Sequence, residues 1–254
     1  MLRRGNVRVT RKSRPKRKPL QETRMEQRSF GENVKRSIIG TVRRNGEVVN
    51  AVTDTVTGSL ATALRGAGDV GQALTGAVSD VARSVIEGTK EAGGDLGAAA
   101  KGAVLGTLRG ARAGGAQAID TVGVTVENLI AATARVGGDL GNAAHQAVEA
   151  TLLGAKSAGI NALHAAGTAA SSAVKAAAQA GGDVAIVAKS AVEGAISAAK
   201  DLGVDASEAA SAAAGGALKA AGEISGEALE QVKRAATGVI SGVKVVAQET
   251  FGKR

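Results

Sequence analysis

The residues with the most obvious binding chemistry are basic and lie at the start of the chain. Nine lysines and arginines fall within the first 18 positions: Arg3, Arg4, Arg8, Arg11, Lys12, Arg14, Lys16, Arg17 and Lys18. Cations at this density neutralise phosphates and release the counterions that surround a polyanion. We therefore predict that residues 1–20 bind nucleic acid or an anionic lipid surface. No aromatic residue is interleaved for base stacking, so we expect no sequence-specific recognition. The alternative is a solubilising or targeting tail.

Catalytic or metal-binding chemistry is not indicated. His145 and His164 are 19 positions apart, whereas a metal pair on one helix face needs neighbours three or four positions apart. The chain has no cysteine, so neither a disulfide nor a thiolate metal site can form. Its Gly-Gly-Asp motifs follow no strand-like segment and precede no Gly-Lys-Ser/Thr, so they are not phosphate loops. We predict no enzyme, no cofactor, no metal and no small-molecule substrate.

The composition excludes an ordinary aromatic core. The 254 residues include two Phe, no Tyr, no Trp, 36 Gly and two Pro. Aromatic side chains usually dominate core burial, so we expect helices that pack closely on small residues or that order on a surface. Charge is uneven, with a net +12 in residues 1–44 and −3 in the remainder. The high pI therefore belongs to the start of the chain.

Targeting signals are not evident. No apolar run of signal-peptide length follows the basic start, and no stretch of about 20 strongly apolar residues would span a bilayer. The lack of cysteine fits a reducing compartment. We expect a cytoplasmic location, with the periphery of a membrane, a granule or a nucleoid as an alternative.

A repeat occupies most of the chain. A Gly-Gly-Asp motif recurs every 44 positions, and a Gln, Asn or Asp stands halfway: Asp95, Gln117, Asp139, Asn161, Asp183 and Asp205. Blocks of 11 residues keep this phase from Val49 to about Val246, which is 18 blocks. Eleven residues complete three turns at about 3.67 residues per turn, so one stripe stays on one side of a helix. The pattern has no period of two, so it predicts helix.

Apolar or small residues occupy positions 1, 4, 5, 8 and 11 of each block. Their larger members form what we name the apolar stripe: Leu96, Leu108, Ile119, Ile130, Leu140, Leu152, Leu163, Val184 and Ile196. Such a stripe lets helices approach closely or lie shallowly in a lipid interface. Bulky side chains that favour lipid are scarce, which favours packing on protein.

Glycine followed by Asp or Asn recurs at the 22-residue boundaries, after a basic residue. Basic residues suit a helix C-terminus, Gly the position after it, and Asp or Asn the next N-cap. We predict helix joints at Gly93, Asp95, Gly137, Asp139, Gly159, Asn161, Gly181, Asp183, Gly203 and Asp205. Two arrangements remain open: one continuous or gently hinged helix, and stacked 22-residue hairpins. The unbroken 11-residue phase favours the continuous helix, because turns need not keep that register.

The predicted fold class is all-α, in four segments. Residues 1–30 form a basic arm that is predicted to be disordered, since it has two prolines and no apolar period. Residues 31–48 are a helical lead-in, residues 49–246 are the repeat, and residues 247–254 are a C-terminal tail.

The repeat resembles a class of proteins in pattern and composition. The stretches VTDTVTGSLATAL and GGDLGAAAKGAVLGTLRGA, within residues 49–246, are similar to the 11- and 22-residue repeats of exchangeable apolipoproteins, perilipins, synucleins and group 3 late-embryogenesis proteins. Granule-coating phasins are a looser analogue. The resemblance implies reversible binding to lipid or granule surfaces by helices that fold on contact.

These patterns lead to three functional hypotheses. The first is a non-catalytic structural or scaffolding protein that self-associates, or coats a surface, through the apolar stripe, while the arm binds a polyanion. Its partners would be copies of itself or a larger protein assembly. The second is a lipid- or granule-surface binder. The third is a nucleoid-type nucleic-acid binder in which the helices only multimerise the arm.

Overall fold

A computed structural model describes residues 20–45, 47–65, 70–114 and 118–246. Over these ranges the chain forms ten helices and a two-stranded antiparallel hairpin. The elements are α1 (Leu20–Asn45), α2 (Val48–Arg65), α3 (Val70–Ala92), α4 (Leu96–Ala113), α5 (Ala118–Arg135), α6 (Leu140–Ala158), α7 (Ala162–Gln179), α8 (Val184–Leu202), α9 (Ala206–Ile224), α10 (Gly226–Ala236), β1 (Gly238–Ile240) and β2 (Val243–Val245).

The helices stack in two layers. Each helix packs against the second helix after it, so α2, α4, α6, α8 and α10 form an even layer, and α1, α3, α5, α7 and α9 form an odd layer. Consecutive helices also pack together, as antiparallel hairpins that join the two layers. Helices within a layer are parallel, since Gly102 and Gly110 of α4 lie against Val52 and Leu60 of α2. The prediction of an all-α repeat is confirmed, and each 44-residue unit is a pair of helices.

The turns between helices follow from glycine and a capping side chain. Gly93, Gly137, Gly159, Gly181 and Gly203 all have φ between 65° and 74°, which a glycine adopts without steric cost. Gly93 N–H donates to Lys90 C=O and Gly94 N–H to Thr89 C=O, at 3.0 and 2.9 Å, the Schellman pattern that closes a helix. The predicted Asp and Asn joints are N-caps whose side chains accept from the first turn of the next helix: Asp95, Asp139, Asn161, Asp183 and Asp205.

The continuous or gently hinged helix that the sequence favours is not what forms. The chain reverses direction at each joint, and stacked hairpins result. The 11-residue phase survives because a helix of 18 or 19 residues plus a short joint repeats every 22 residues. The phase therefore reports a constant hairpin length. Folding back also buries faces that a single extended helix would leave in water.

Alanine makes up much of the core. An interior helix such as α6 touches two parallel neighbours and the opposite layer, and it buries 11 of its 19 residues. The buried surface is therefore wider than one stripe. Of the apolar stripe, Leu108, Ile130, Leu152, Val184 and Ile196 are buried, and Leu96, Ile119, Leu140 and Leu163 are half-buried against the core.

The C-terminal end departs from the helical repeat. Helix was predicted to about residue 246, but α10 ends at Ala236, and β1 and β2 follow. Ser241 and Gly242, both at positive φ (49° and 79°), make the two-residue turn that suits a hairpin's twist. Ile240 and Val245 are buried in the main core, and β2 packs on α9. The hairpin thus covers part of a face that a further helix would otherwise cover.

The start of the helical region also differs from the prediction. Helix α1 begins at Leu20, so residues 20–30 of the predicted arm are helical and continuous with the lead-in. Phe30 is half-buried and packs against the main core and against a smaller buried cluster that includes Leu60, Leu64 and Val78. Residues 1–19 and 247–254 lie outside the described part of the chain.

Candidate binding surface

A groove runs along the outer face of the odd layer, between α7 and α9. Its volume is about 1030 Å³. It is lined mainly by short side chains, including Thr168, Ser171 and Ser172 of α7 and Ser207, Ser211 and Gly215 of α9. The two helices nearly touch along it, because a Cβ on Gly216 would overlap the Gly167 carbonyl group. Short side chains on helices this close leave an open channel.

Charged side chains stand at one end of the groove. Lys175 Nζ of α7 reaches Glu223 Oε2 of α9 at 2.6 Å. The hydrogen bond from Lys175 lowers the pKa of Glu223, and Lys219 adds a smaller effect of the same sign. Both members of the pair are well exposed, so we expect the pair to contribute little to the stability of the fold.

The hairpin enters the other end of the groove. Ser207 Oγ donates to the Lys244 carbonyl at 2.7 Å, and Val246 N–H donates to Ser211 Oγ at 3.2 Å. Ser207 and Ser211 are one helical turn apart, so they face the same way. Val246 itself is among the residues that line the groove. The groove already holds a short stretch of extended backbone.

The helix ends separate charge between two edges of the stack. Helices α2, α4, α6 and α8 are parallel, so their C-termini lie along one edge, which we name the basic edge after the cations in their last turns: Arg65, Arg112, Lys156 and Lys200. The opposite edge carries the N-caps Asp95, Asp139 and Asp183, and we name it the acidic edge.

This separation is partial. Lys90 and Arg135 end α3 and α5 on the acidic edge, and Asp205 begins α9 on the basic edge. Helix α1 runs in the direction of the odd layer, so Leu20 lies at the basic edge. The nine predicted polyanion-binding residues between Arg3 and Lys18 lie outside the described residues, and they precede Leu20 in the sequence.

Some of these cations tie neighbouring repeats together. Arg112 Nη1 donates to the Ser157 carbonyl at 2.8 Å, and Lys156 Nζ donates to the Leu202 carbonyl at 3.3 Å. Lys90 Nζ makes the equivalent contact with the Val136 carbonyl. In each case a cation at one helix end satisfies a carbonyl that the end of the next parallel helix leaves without a helical partner.

Sequence reasoning missed the ion pairs between parallel helices. Lys101 Nζ of α4 lies 2.7 Å from Glu149 Oε1 of α6, and Glu149 is only 7% exposed. Lys35 and Glu91 pair at 2.8 Å between α1 and α3, and this hydrogen bond raises the pKa of Lys35. Lys101 and Glu149 are 48 positions apart, as are Lys175 and Glu223. That spacing is one repeat plus one helical turn, and it is the signal that could have found them.

The two histidines lie on different helices, His145 on α6 and His164 on α7. His145 is half-buried and His164 is exposed. Among the described residues, no cluster of three or more His, Cys, Asp or Glu side chains is placed to hold a metal ion. None of the helices in this part of the chain is both long and apolar enough to cross a membrane.

Comparison with known proteins adds little beyond the fold. No protein-family model matches the sequence. No curated protein matches it either. Among solved structures, the de novo designed helical repeat protein DHR7 is similar at a TM-score of 0.34 and 18% identity, over 84% of this chain and 96% of that one. A likeness this distant supports no argument about function, and the resemblance to lipid-binding repeat families finds no support in these comparisons. The chain is a helical repeat protein, with two helices in each repeat.

Proposed function

We propose that this protein is a non-catalytic scaffold whose helical repeat carries a basic, polyanion-binding arm. One observation carries the proposal: Leu20, which follows the nine arm cations in the sequence, lies at the basic edge, where Arg65, Arg112, Lys156 and Lys200 also lie. In this proposal the arm cations and the basic edge act together as one positive surface. Such a surface attracts phosphodiester groups without sequence readout.

The apolar stripe is a weaker basis for function. Every one of its nine residues is buried or half-buried within the chain. Lipid insertion or self-association through the stripe would require the hairpins to separate, at the cost of that buried area. We therefore place polyanion binding first, with nucleic acid as the polyanion. Binding to anionic lipid headgroups is the alternative, and it would use the same cations.

Salt dependence of duplex DNA binding tests the proposal. The variant replaces all nine arm cations, from Arg3 to Lys18, by Gln in the full chain. Each lost phosphate contact reduces the slope of log K against log salt by about 0.9, so we expect a much shallower slope and an affinity loss of at least a hundredfold at low salt. If this variant kept the full salt dependence of DNA binding, the proposal would be contradicted.

A matched pair of single substitutions tests the edge. Arg65→Gln removes an exposed cation from the basic edge, and Arg135→Gln removes one from the acidic edge. We expect the first to reduce the salt slope by about one contact and the second to leave it unchanged. Equal effects would show that the edge plays no part. Tighter binding to anionic vesicles than to DNA would favour the lipid alternative.

A further inference from the structure

Charge is separated along the length of the even helices α2, α4 and α6. Every carboxylate of these helices, and of the residue that precedes each, lies at or before the helix midpoint: Glu47, Asp54, Asp95, Asp139 and Glu149. Beyond the midpoint, all of their charged residues are basic: Arg65, Arg109, Arg112 and Lys156. Lys200 continues this row on α8, next to Asp201. Half of the even layer is therefore positive.

Arg109 shows which surface of the layer carries this charge. Helix α4 has a parallel neighbour on each side and odd-layer helices behind it, so an exposed side chain within α4 points outward. Arg109 is exposed, and it lies about 6 Å along the helix axis before the end of α4 at Ala113. Among the described residues, no hydrogen bond or ion pair holds its guanidinium group. The positive surface thus extends from the basic edge onto the outer face of the even layer.

We propose that this outer face, over the C-terminal halves of α2, α4, α6 and α8, binds duplex nucleic acid that lies across the helices. The inference rests on the proposed function and gives it a surface and an orientation. Parallel helices pack about 8–10 Å apart, so the row of cations from Arg65 to Lys200 is about 24–30 Å long. At about 3.4 Å per base pair, this length matches about seven to nine base pairs.

Two of these cations also hold backbone carbonyl groups, and they retain the capacity to bind phosphate. Arg112 donates to the Ser157 carbonyl, and Lys156 donates to the Leu202 carbonyl. A guanidinium group has five N–H donors and an ammonium group has three, so each keeps donors for a phosphate oxygen. The carbonyl contact also orders the side chain before the ligand binds, which lowers the entropy cost of binding.

A duplex fits this surface better than a single strand does. Proteins bind single strands by stacking the bases on aromatic side chains. Phe30 is the one aromatic residue in the described part of the chain, and it is half-buried in the opposite layer. A duplex is bound through its phosphates, which need only cations. The carboxylates in the other half of the even helices repel phosphates, so they confine the duplex to the C-terminal halves.

A salt titration of duplex binding tests this surface with two matched variants of the full chain. Arg109→Gln removes a cation from the positive half of the even layer. Lys189→Gln removes one from the first half of α8, where its exposed Nζ lies 3.9 Å from Glu193 Oε1. The probe is duplex DNA of about one helical turn, or about 10 base pairs. We expect Arg109→Gln to reduce the slope of log K against log salt by about 0.9, and Lys189→Gln to leave the slope unchanged.

Two outcomes would overturn the inference. The first is a slope that Arg109→Gln leaves unchanged or reduces no more than Lys189→Gln does. The second is tighter binding of the corresponding single strand than of the duplex at the same salt concentration. Circular dichroism of each variant checks that the helices remain folded.

The result is distinguishable from failure of the proposed function. If Arg109→Gln has no effect but replacement of the nine arm cations removes most of the salt dependence, the proposed function stands and this surface is excluded. If the arm variant keeps the full slope and Arg109→Gln reduces it, the arm is excluded and the outer face of the even layer is the binding surface.

Discussion

The α2–α4 and α7–α9 interfaces repeat the same arrangement with different contents. In the first, Gly102, Gly106 and Gly110 of α4, and Gly114 directly after it, face bulky side chains of α2: Val52, Val56, Leu60 and Leu64. In the second, Gly216 faces the Gly167 backbone, and the buried residues of both helices are almost all alanine. The glycines of the first interface thus admit bulky side chains as well as the Val49 and Thr53 carbonyl groups, whereas Gly216 meets main chain alone.

This difference means that one interface contributes more to stability, whereas the other leaves more of its surface accessible to solvent. Hydrophobic stabilisation scales with apolar area removed from water, at about 25 cal/mol per Å². The Val and Leu side chains over the α4 glycines bury more apolar area than alanine can, and they fill the space between the helices. The α7–α9 interface depends on close backbone contact and leaves a groove at its surface. A constant repeat length therefore does not imply constant stabilisation along the stack.

The largest expected effect on stability comes from truncating a side chain that fills the α2–α4 interface. Leu60→Ala leaves a cavity over Gly110, and we expect it to lower the free energy of unfolding by about 2–5 kcal/mol. Leu163→Ala, at the half-buried rim of the groove, should cost much less, because water can enter the space. Urea denaturation of both variants measures the contrast. Equal losses would mean that the two interfaces are packed equally well.

The next effect concerns the glycine–backbone contact. Gly216→Ala places a methyl group against the Gly167 carbonyl, and overpacking of this kind costs about 1–3 kcal/mol. Gly58→Ala is the matched control, because a Cβ added at this helical position would meet no neighbouring side chain or helix within 4 Å. It should stabilise the protein by about 0.5–1 kcal/mol, since glycine costs helix entropy. Thermal unfolding of the two variants measures both changes in stability. If Gly216→Ala left the stability unchanged, α9 would have to move away from α7 to admit the methyl group.

A third contrast compares ion pairs in the two layers. Lys101→Met leaves Glu149 buried without its partner, and we expect a loss of about 1–3 kcal/mol. Lys175→Met breaks the exposed pair with Glu223 and should leave stability essentially unchanged. Denaturation in low and high salt tests this, because salt screens the exposed pair and hardly affects the buried one. A larger loss for Lys175→Met would reverse the assignment.

The smallest effect is a pH dependence in the odd layer. Burial raises the pKa of Asp80 above its ordinary 3.8, and Arg83, on its own helix, opposes this shift. A carboxyl whose pKa is raised by folding destabilises the fold while ionised, and acidification below 3.8 removes that penalty. Asp80→Asn should therefore raise Tm slightly at pH 7. Below pH 3.8, the ordinary pKa of the carboxyl, the variant and the unsubstituted protein should unfold at the same temperature. A lower Tm at pH 7 would mean that the charge of Asp80 is favourably bound.

Local signals in the sequence located the joints, because their causes are local. A left-handed residue after a helix requires Gly93 or its equivalents, and an N-cap requires a short acceptor such as Asp95. The hairpin at the C-terminal end had signals as well, in the Ser241-Gly242 pair between β-branched residues. The 11-residue phase obscured them, since it continues through this stretch.

The groove and the ion pairs could not be derived in the same way. Lys101 and Glu149 are 48 positions apart, and nothing local says that α4 lies parallel to α6. The groove depends on how closely α7 approaches α9, and on Val246 entering from a different element.

By itself the sequence determined that this chain is mostly helical, where the five glycine joints from Gly93 to Gly203 lie, and that its positive charge is concentrated in the first residues. Those properties depend on neighbours within a few positions, through capping, glycine conformation and helical period. Only the tertiary structure decided that the helices fold back into two layers and bury the apolar stripe. A stripe of small residues can be satisfied by any close surface, so its partner is chosen by the packing of the whole stack.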